Sequence, residues 1–314
     1  MKKTIWMLAA CTALPVNAGS FGPFDQIFVF GDSLSDGGNL QVIAPEFVPD
    51  PPYPDGQFTN GDTWTTQLGL TPSLQGGTNF AFGGARTVDN SPADAIPDLL
   101  AQIAAFTSNP SALGVNPLGV IWVGGNDFLD FQDVPEVDQQ FEAFVGSVAG
   151  TIGTGVQQLV EAGISDVVVF GQPSFGALPQ FEDDTDGAAS ANGASFVLNS
   201  AIAATASGLN TALPDADVSF FDLDAVFQDV LAGLPEDTRQ LQCLEALGVE
   251  ECLANPDDFL FFDDIHPVED VHTILADAFA NEFLQPVPLP AGGVLLLTGL
   301  AGFGVWARRR KSLT

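Results

Sequence analysis

The chain has 314 residues, 46% of them apolar and 10% aromatic, with 15% charged; such a composition can bury a sizeable core and excludes global disorder. Acidic residues number 40 against 8 basic ones, a formal net charge of −32. The basic residues cluster at the ends, Lys2 and Lys3 at the start and Arg308, Arg309, Arg310 and Lys311 near the finish, so only Arg86 and Arg239 stand within the acidic body. Nucleic acid is therefore not an expected partner, because binding to a phosphate backbone rests on Lys and Arg. A surface this negative also repels polyanions and anionic bilayers and favours neutral or zwitterionic ligands. Adaptation to salty water gives the same composition.

The first element is an address. Lys2 and Lys3 precede an apolar run from Thr4 through Val16 and a small-residue end at Val16-Asn17-Ala18, the pattern of a secretory signal peptide spanning 1–18. Leu8-Ala9-Ala10-Cys11 also has the form of a lipobox, behind an unusually short apolar run. The body, 19–286, carries no internal repeat and reads as one domain.

Within the body, Gln26–Phe30 (QIFVF) predicts a buried strand, and it runs into Gly31-Asp32-Ser33-Leu34-Ser35-Asp36-Gly37-Gly38-Asn39. A serine in a tight turn between strand and helix sits at a sheet edge beside free backbone N–H groups that can meet an oxyanion. A plain Asp/Ser helix cap gives the same residues. The Pro-rich segment 41–56 is a candidate lid or specificity loop, or an inert one. A second strand at Thr78–Ala81 leads to Gly83-Gly84, a place for close backbone approach. A helix from about Ala93 to Phe106 precedes a third strand, Gly119–Val123, ending in Gly124-Gly125-Asn126-Asp127, where the Asn126 amide can point into the same crevice or satisfy its own turn.

Glu136–Ala162 has the clearest helical spacing, with Phe141, Val145, Val148, Ile152, Val156 and Leu159 at intervals of three and four. Strand Asp166–Phe170, loop 172–190, helix Ala188–Leu213 and strand Val218–Phe221 follow; the loop is a further candidate lid or specificity element. Strands alternating with helices imply a parallel sheet covered on both faces, with ligands at the carboxyl ends of the strands. Cys243 and Cys252 lie close in sequence and form either a short-loop disulfide or two structural thiols; their spacing is not that of a metal site. The body closes with Asp263-Asp264-Ile265-His266-Pro267 and a helix over Val268–Phe283. Only His266 and His272 can supply a base with a pKa near neutrality. Asp263 is close enough on the same loop to orient His266, and Asp264 competes with it. His272, six positions on, falls on a different helix face.

At the C-terminus, Val287-Pro288-Leu289-Pro290-Ala291, an apolar segment at about 291–307 and the terminal basic cluster occur in that order. This end, 287–314, resembles a PEP-CTERM-type sorting tail of the VPLPA variety, which implies export from a Gram-negative bacterium, transient inner-membrane anchoring, and handling by signal peptidase and an exosortase-like enzyme. A plain tail anchor is the alternative.

The ordered blocks of the body resemble the GDSL esterases and lipases, or SGNH hydrolases: F-G-D-S-L-S-D-x-G-N from Phe30, N-F-A-x-G-G-A from Asn79, G-G-N-D from Gly124 and D-x-x-H-P from Asp263. Gln57-Phe58-Thr59-Asn60-Gly61-Asp62-Thr63-Trp64 is similar to a further family segment, with Gln57 replacing the usual Arg, a departure of packing more than of chemistry. The resemblance implies a flavodoxin-like three-layer α/β/α sandwich and no cofactor. It implies Ser33 as nucleophile, His266 as base and then acid, and Asp263 as its orienter. The oxyanion hole it implies comprises the Ser33 N–H, the Gly84 N–H and the Asn126 side chain, with Gly83 competing for the place of Gly84. The expected activity is cleavage of lipid, short-chain or acetyl-sugar esters through an acyl-enzyme. Two rivals are a metal-dependent phosphoesterase using Asp263, Asp264, His266 and His272, and a non-catalytic acidic matrix protein.

Overall fold

The computed structural model describes residues 21–88, 95–108, 113–132, 137–234, 240–254, 256 and 259–285. The expected leader with Cys11 and the expected sorting tail lie outside these residues, as do the expected helix starts at Ala93 and Glu136. Strands β1 (Gln26–Gly31), β2 (Pro117–Trp122), β3 (Asp166–Phe170) and β4 (Asp217–Phe221) form one parallel sheet in the order β1-β2-β3-β4. Its register places Phe30 beside Ile121, and Val168 beside both Val120 and Ser219.

The helices are α1 (Asn39–Ile43), α2 (Trp64–Gln67), α3 (Leu99–Ser108), α4 (Gly125–Gln132), α5 (Val137–Glu161), α6 (Thr185–Ala212), α7 (Leu223–Gly233), α8 (Cys243–Leu247), α9 (Val249–Ala254) and α10 (Glu269–Phe283). Alternation along β1 sorts them into layers. Ile27 and Val29 join Trp64, Trp122, Phe170 and Phe279 on one face, beneath α2, α7 and α10. Phe28 and Phe30 join Ile103, Phe106, Val156 and Ile202 on the other, beneath α3, α5 and α6. With both faces covered, the strands are largely apolar, and β2 is buried at every position.

The expected strand at Thr78–Ala81 is shorter than its sequence suggests. Only Asn79 bridges Val29 and Pro72, although Val29 N donates to Thr78 O, Phe80 N to Val29 O and Phe82 N to Gly31 O at 2.7–3.1 Å. The chain then peels away at Gly83 and Gly84, where Gly84 takes φ +80°. Counted as an edge strand, this segment gives the flavodoxin-like order 2-1-3-4-5, so the sheet is the three-layer α/β/α sandwich expected. The crossover direction reverses between β1 and β2, which opens a crevice at their carboxyl ends.

Cys243 and Cys252 are joined as a disulfide between α8 and α9, with Cα atoms 5.5 Å apart. Cys243 N and Leu244 N donate to the carbonyls of Phe261 and Phe262 at 2.9 and 3.0 Å. The bridge therefore braces the segment leading into Asp263. Among the described residues, no helix is long and apolar enough to cross a membrane.

Candidate active site

Ser33 stands at the switch point, two residues beyond the end of β1 and inside the turn that follows it. Gly31 must lack a side chain, because a Cβ there would lie 2.4 Å from the Trp122 carbonyl oxygen. The turn closes through Asp32, whose carbonyl accepts from Ser35 N and Asp36 N and whose Oδ1 accepts from Leu34 N. The buried Asp36 carboxylate then collects Gly38 N, Asn39 N and Leu40 N, capping α1. It also accepts from Gly83 N at 2.8 Å, tying the first block to the second.

His266 reaches Ser33 from 233 residues away in sequence, with Nε2 2.7 Å from Ser33 Oγ. Its Nδ1 lies 2.7 Å from Asp263 Oδ2 and 3.0 Å from Oδ1. Asp263 Oδ1 further accepts from Ile265 N at 2.9 Å and His266 N at 2.7 Å, so carboxylate and imidazole are fixed by one short loop. Asp264, the competing orienter, is exposed and outside this chain of contacts. Burial opposes charge on Asp263, but the neighbouring His266 and these donors outweigh it and hold the carboxyl at about 2. Burial likewise pulls the His266 pKa down; the charge and hydrogen bond of Asp263, aided by Asp32 and Asp264, reverse that and raise it.

The oxyanion donors can be told apart by what they already bind. Gly83 N–H is taken by Asp36, whereas among the described residues the N–H groups of Gly84 and Ser33 have no hydrogen-bond acceptor. Of the two glycines, Gly84 is the one whose N–H remains available. Asn126 lies not in a turn but in the first turn of α4, where one Nδ2 hydrogen is donated to Ala85 O at 3.0 Å and the other remains for a ligand. Arg86 fixes the loop between them. Its Nε is 2.5 Å from Asp130 Oδ2 and its NH1 donates to Gly84 O at 3.1 Å. Asp127 accepts from Thr87 N and Thr87 Oγ1 at 2.9 and 2.6 Å.

The family is shown by a match across this whole constellation: residues 27–279 fit the model of the GDSL-like lipase/acylhydrolase family. The chain belongs to that family. It is similar to the phosphatidylcholine-sterol acyltransferase of Aeromonas hydrophila, 31% identical over 192 residues, covering 57% of this chain and 54% of that protein. It is also similar to acetylajmalan esterase 2 of Rauvolfia serpentina, 26% identical over 331 residues, covering 84% of this chain and 91% of that one. The chain thus spans about half the length of the first relative and most of the second. Among solved structures it resembles the acetylxylan esterase Axe2 of Geobacillus stearothermophilus, with a TM-score of 0.43 and 16% identity over 84% of this chain and 96% of that one. Phospholipase A1 of Streptomyces albidoflavus gives a TM-score of 0.43 and 19% identity over 82% and 98%. As a member of the family, this protein is a carboxylic ester hydrolase.

One contact of this GDSL hydrolase escapes a sequence reading, and two features noted in the sequence find their place. Tyr53, the chain's one tyrosine, donates its hydroxyl to Asp263 Oδ2 at 2.8 Å from the Pro-rich loop; burial and the Asp263 charge push its pKa up. Only its being unique in that loop singles it out beforehand. The Gln57–Trp64 segment proves to be scaffolding for the base. Phe58 lies against the His266 ring, centroids 4.9 Å apart; Thr59 Oγ1 donates to Pro267 O and Asn60 Oδ1 accepts from Glu269 N. Gln57 Oε1 gathers Thr63 N, Thr63 Oγ1 and Thr66 Oγ1, a packing role as expected. His272 is fully buried on α10, and neither ring nitrogen has a partner among the described residues. The metal-site rival is not supported, since no group of three or more His, Cys, Asp or Glu side chains among those residues is placed to hold an ion.

The loop after β3 walls the site. Ser174 Oγ donates to Asp224 Oδ1 at 2.7 Å and Gly176 N to Asn192 Oδ1 at 2.8 Å, bracing the loop on α7 and α6. Gln172, Pro173, Phe175 and Leu178 line a chamber of about 40 Å³ beside Ser33 and Asn126. A larger apolar cavity of about 560 Å³, lined by Phe128, Phe131, Phe141 and Phe181, contains none of Ser33, Asp263 and His266. Phe175 of the small chamber stacks on Phe128 of the large one, centroids 4.0 Å apart.

Proposed function

We propose that this protein is an exported serine esterase in which Ser33 attacks an ester carbonyl, His266 accepts the serine proton and delivers it to the leaving alkoxide, and Asp263 holds the imidazole. Water then adds to the acyl-enzyme with His266 as base, and the acid leaves. The negative oxygen formed in each half is met by the N–H groups of Ser33 and Gly84 and by the Asn126 amide. The observation that carries this reading is the unbroken relay, 2.7 Å from Ser33 Oγ to His266 Nε2 and 2.7 Å from Nδ1 to Asp263 Oδ2. An intact relay also argues against the non-catalytic matrix protein.

The chamber of about 40 Å³ at Ser33 supports short acyl groups over long ones, and the acidic surface supports neutral esters, including acetylated sugars. Export is supported by the leader and tail patterns and by the Cys243–Cys252 disulfide, which persists in oxidising compartments. On this reading signal peptidase and an exosortase-like enzyme process the ends at the inner membrane. A series of p-nitrophenyl esters tests the substrate class. The acetate and butyrate should be cleaved with kcat/KM at least about 10-fold above the palmitate, corresponding to about 1.4 kcal/mol, and Ser33→Ala should abolish all of it. A rate that climbs with chain length would overturn the short-acyl assignment.

A further inference from the structure

Gln172 lies two residues beyond the carboxyl end of β3 and is fully buried. Its backbone is clamped by Asn199: Gln172 N donates to Asn199 Oδ1 at 2.6 Å and Asn199 Nδ2 donates to Gln172 O at 2.8 Å. Its side chain is oriented by Nε2, which donates to the Val123 carbonyl at 3.0 Å. The amide cannot be turned around without setting two carbonyl oxygens against each other. Gln172 lines the chamber beside Ser33, and its Oε1 is buried and has no donor among the described residues. A buried acceptor left unpaired is costly, so a group fixed this firmly without a partner points to a ligand.

Gly125 shows where that ligand fits. Its φ is not in the left-handed region, and a Cβ there would meet Gln172 Oε1 at 3.7 Å and Asp32 Oδ2 at 4.0 Å, ordinary contact distances. Neither backbone strain nor a clash requires glycine at this position. What its missing side chain leaves is room between an amide oxygen and a buried carboxyl group, next to Asn126. A substrate hydroxyl brought against that edge of the chamber would give its proton to Gln172 Oε1 and offer its own lone pairs to Asp32 when that carboxyl is protonated. Burial pushes the Asp32 pKa up to about 7, which keeps a proton available near neutrality.

We propose that Gln172 is a specificity-determining residue whose Oε1 accepts a hydrogen bond from a substrate hydroxyl close to the scissile carbonyl, so that the enzyme selects hydroxylated esters over plain ones. The proposal rests on the serine-esterase reading. Two matched pairs test it with the purified protein: glyceryl monoacetate against propyl acetate, for a hydroxyl on the alcohol side, and p-nitrophenyl 3-hydroxybutyrate against p-nitrophenyl butyrate, for one on the acyl side. In at least one pair the hydroxylated ester should have kcat/KM about 10- to 100-fold higher, the range set by leaving one buried acceptor unpaired. Gln172→Met should bring that ratio close to one, as should Gly125→Ala, which puts a methyl against Oε1 while leaving the Gln172 side chain itself unchanged. Fluorophosphonate labelling and circular dichroism report whether each variant is folded. Equal rates within both pairs, as expected if water alone satisfies Oε1, or a preference that survives both substitutions, would overturn the proposal. Failure of the parent protein to cleave any of the four esters would instead overturn the esterase reading.

Discussion

Ser33, Asp263 and Asn126 are each held by contacts of a different kind, so their substitutions have different signatures. Asp263→Asn removes the charge that raises the His266 pKa and stabilises the wrong imidazole tautomer. Turnover should fall about 10,000-fold, and the acid limb of the kcat/KM profile should move to lower pH. In the parent protein the base must be neutral to take the serine proton, so the rate rises with pH through a value above the ordinary 6.5 of histidine. An unmoved limb in Asp263→Asn would mean that another group titrates. Asn126→Ala deletes one oxyanion donor, worth about 2.7–4 kcal/mol, and should lower kcat about 100- to 1000-fold with an unchanged circular dichroism spectrum. Normal turnover would remove Asn126 from the site. Tyr53 acts through its hydrogen bond to Asp263, so it is a positioning residue.

At the scale of elements, α10 carries both the base-bearing junction and a histidine that does no chemistry. Burial, reinforced by the nearby His266, depresses the His272 pKa to about 3. Above the unfolded value of 6.5 both states are neutral and nothing is lost; as pH falls below it the unfolded chain takes a proton that the folded one refuses. Stability therefore drops by about 1.4 kcal/mol per pH unit from this group alone, until the folded pKa is reached. His272→Leu should remove that slope, so urea unfolding should show the variant gaining on the parent between pH 7 and pH 5; a constant difference would contradict the assignment. The loop after β3 gives a second test. Phe175→Ala removes a ring that lines the 40 Å³ chamber and stacks on Phe128 of the 560 Å³ cavity and should shift the preferred acyl chain from acetate toward octanoate.

These elements also mark what the sequence carries and what it cannot. Asp166–Phe170 is legible as a strand because burial on both faces makes it continuously apolar, and α5 because one face alone is. Helix α3 begins at Leu99, later than the spacing suggests, since Pro97 has no N–H to give and disfavours helix in the residue before it. Helix α6 begins at Thr185, earlier than expected, where the Asp184 side chain accepts from Gly187 N. Helix α4 hides behind Gly124 and Gly125, which read as a turn, and α7 is announced only by the Asp222 cap on Ala225 N. Ser33, His266 and Asp263 are legible as an ordered set of blocks. Tyr53 and Gln172 are not, because each contact joins segments far apart in the chain and leaves no local pattern.

The whole molecule carries its acidic surface as a constraint on folding. With a net charge of −32, self-repulsion opposes the compact state, and added salt shortens the Debye length to about 3 Å at 1 M. The thermal midpoint should rise as sodium chloride is added, and a flat response would show the charges to be spaced too widely to matter. Against that repulsion, core and disulfide hold residues 33, 263 and 266 in one crevice. Intact-mass analysis after exposure to a fluorophosphonate probe tests that claim most directly. The account predicts one adduct, located on Ser33 by peptide mapping and absent from folded Ser33→Ala and His266→Ala. An unlabelled parent protein, or labelling that persists in Ser33→Ala, would contradict it.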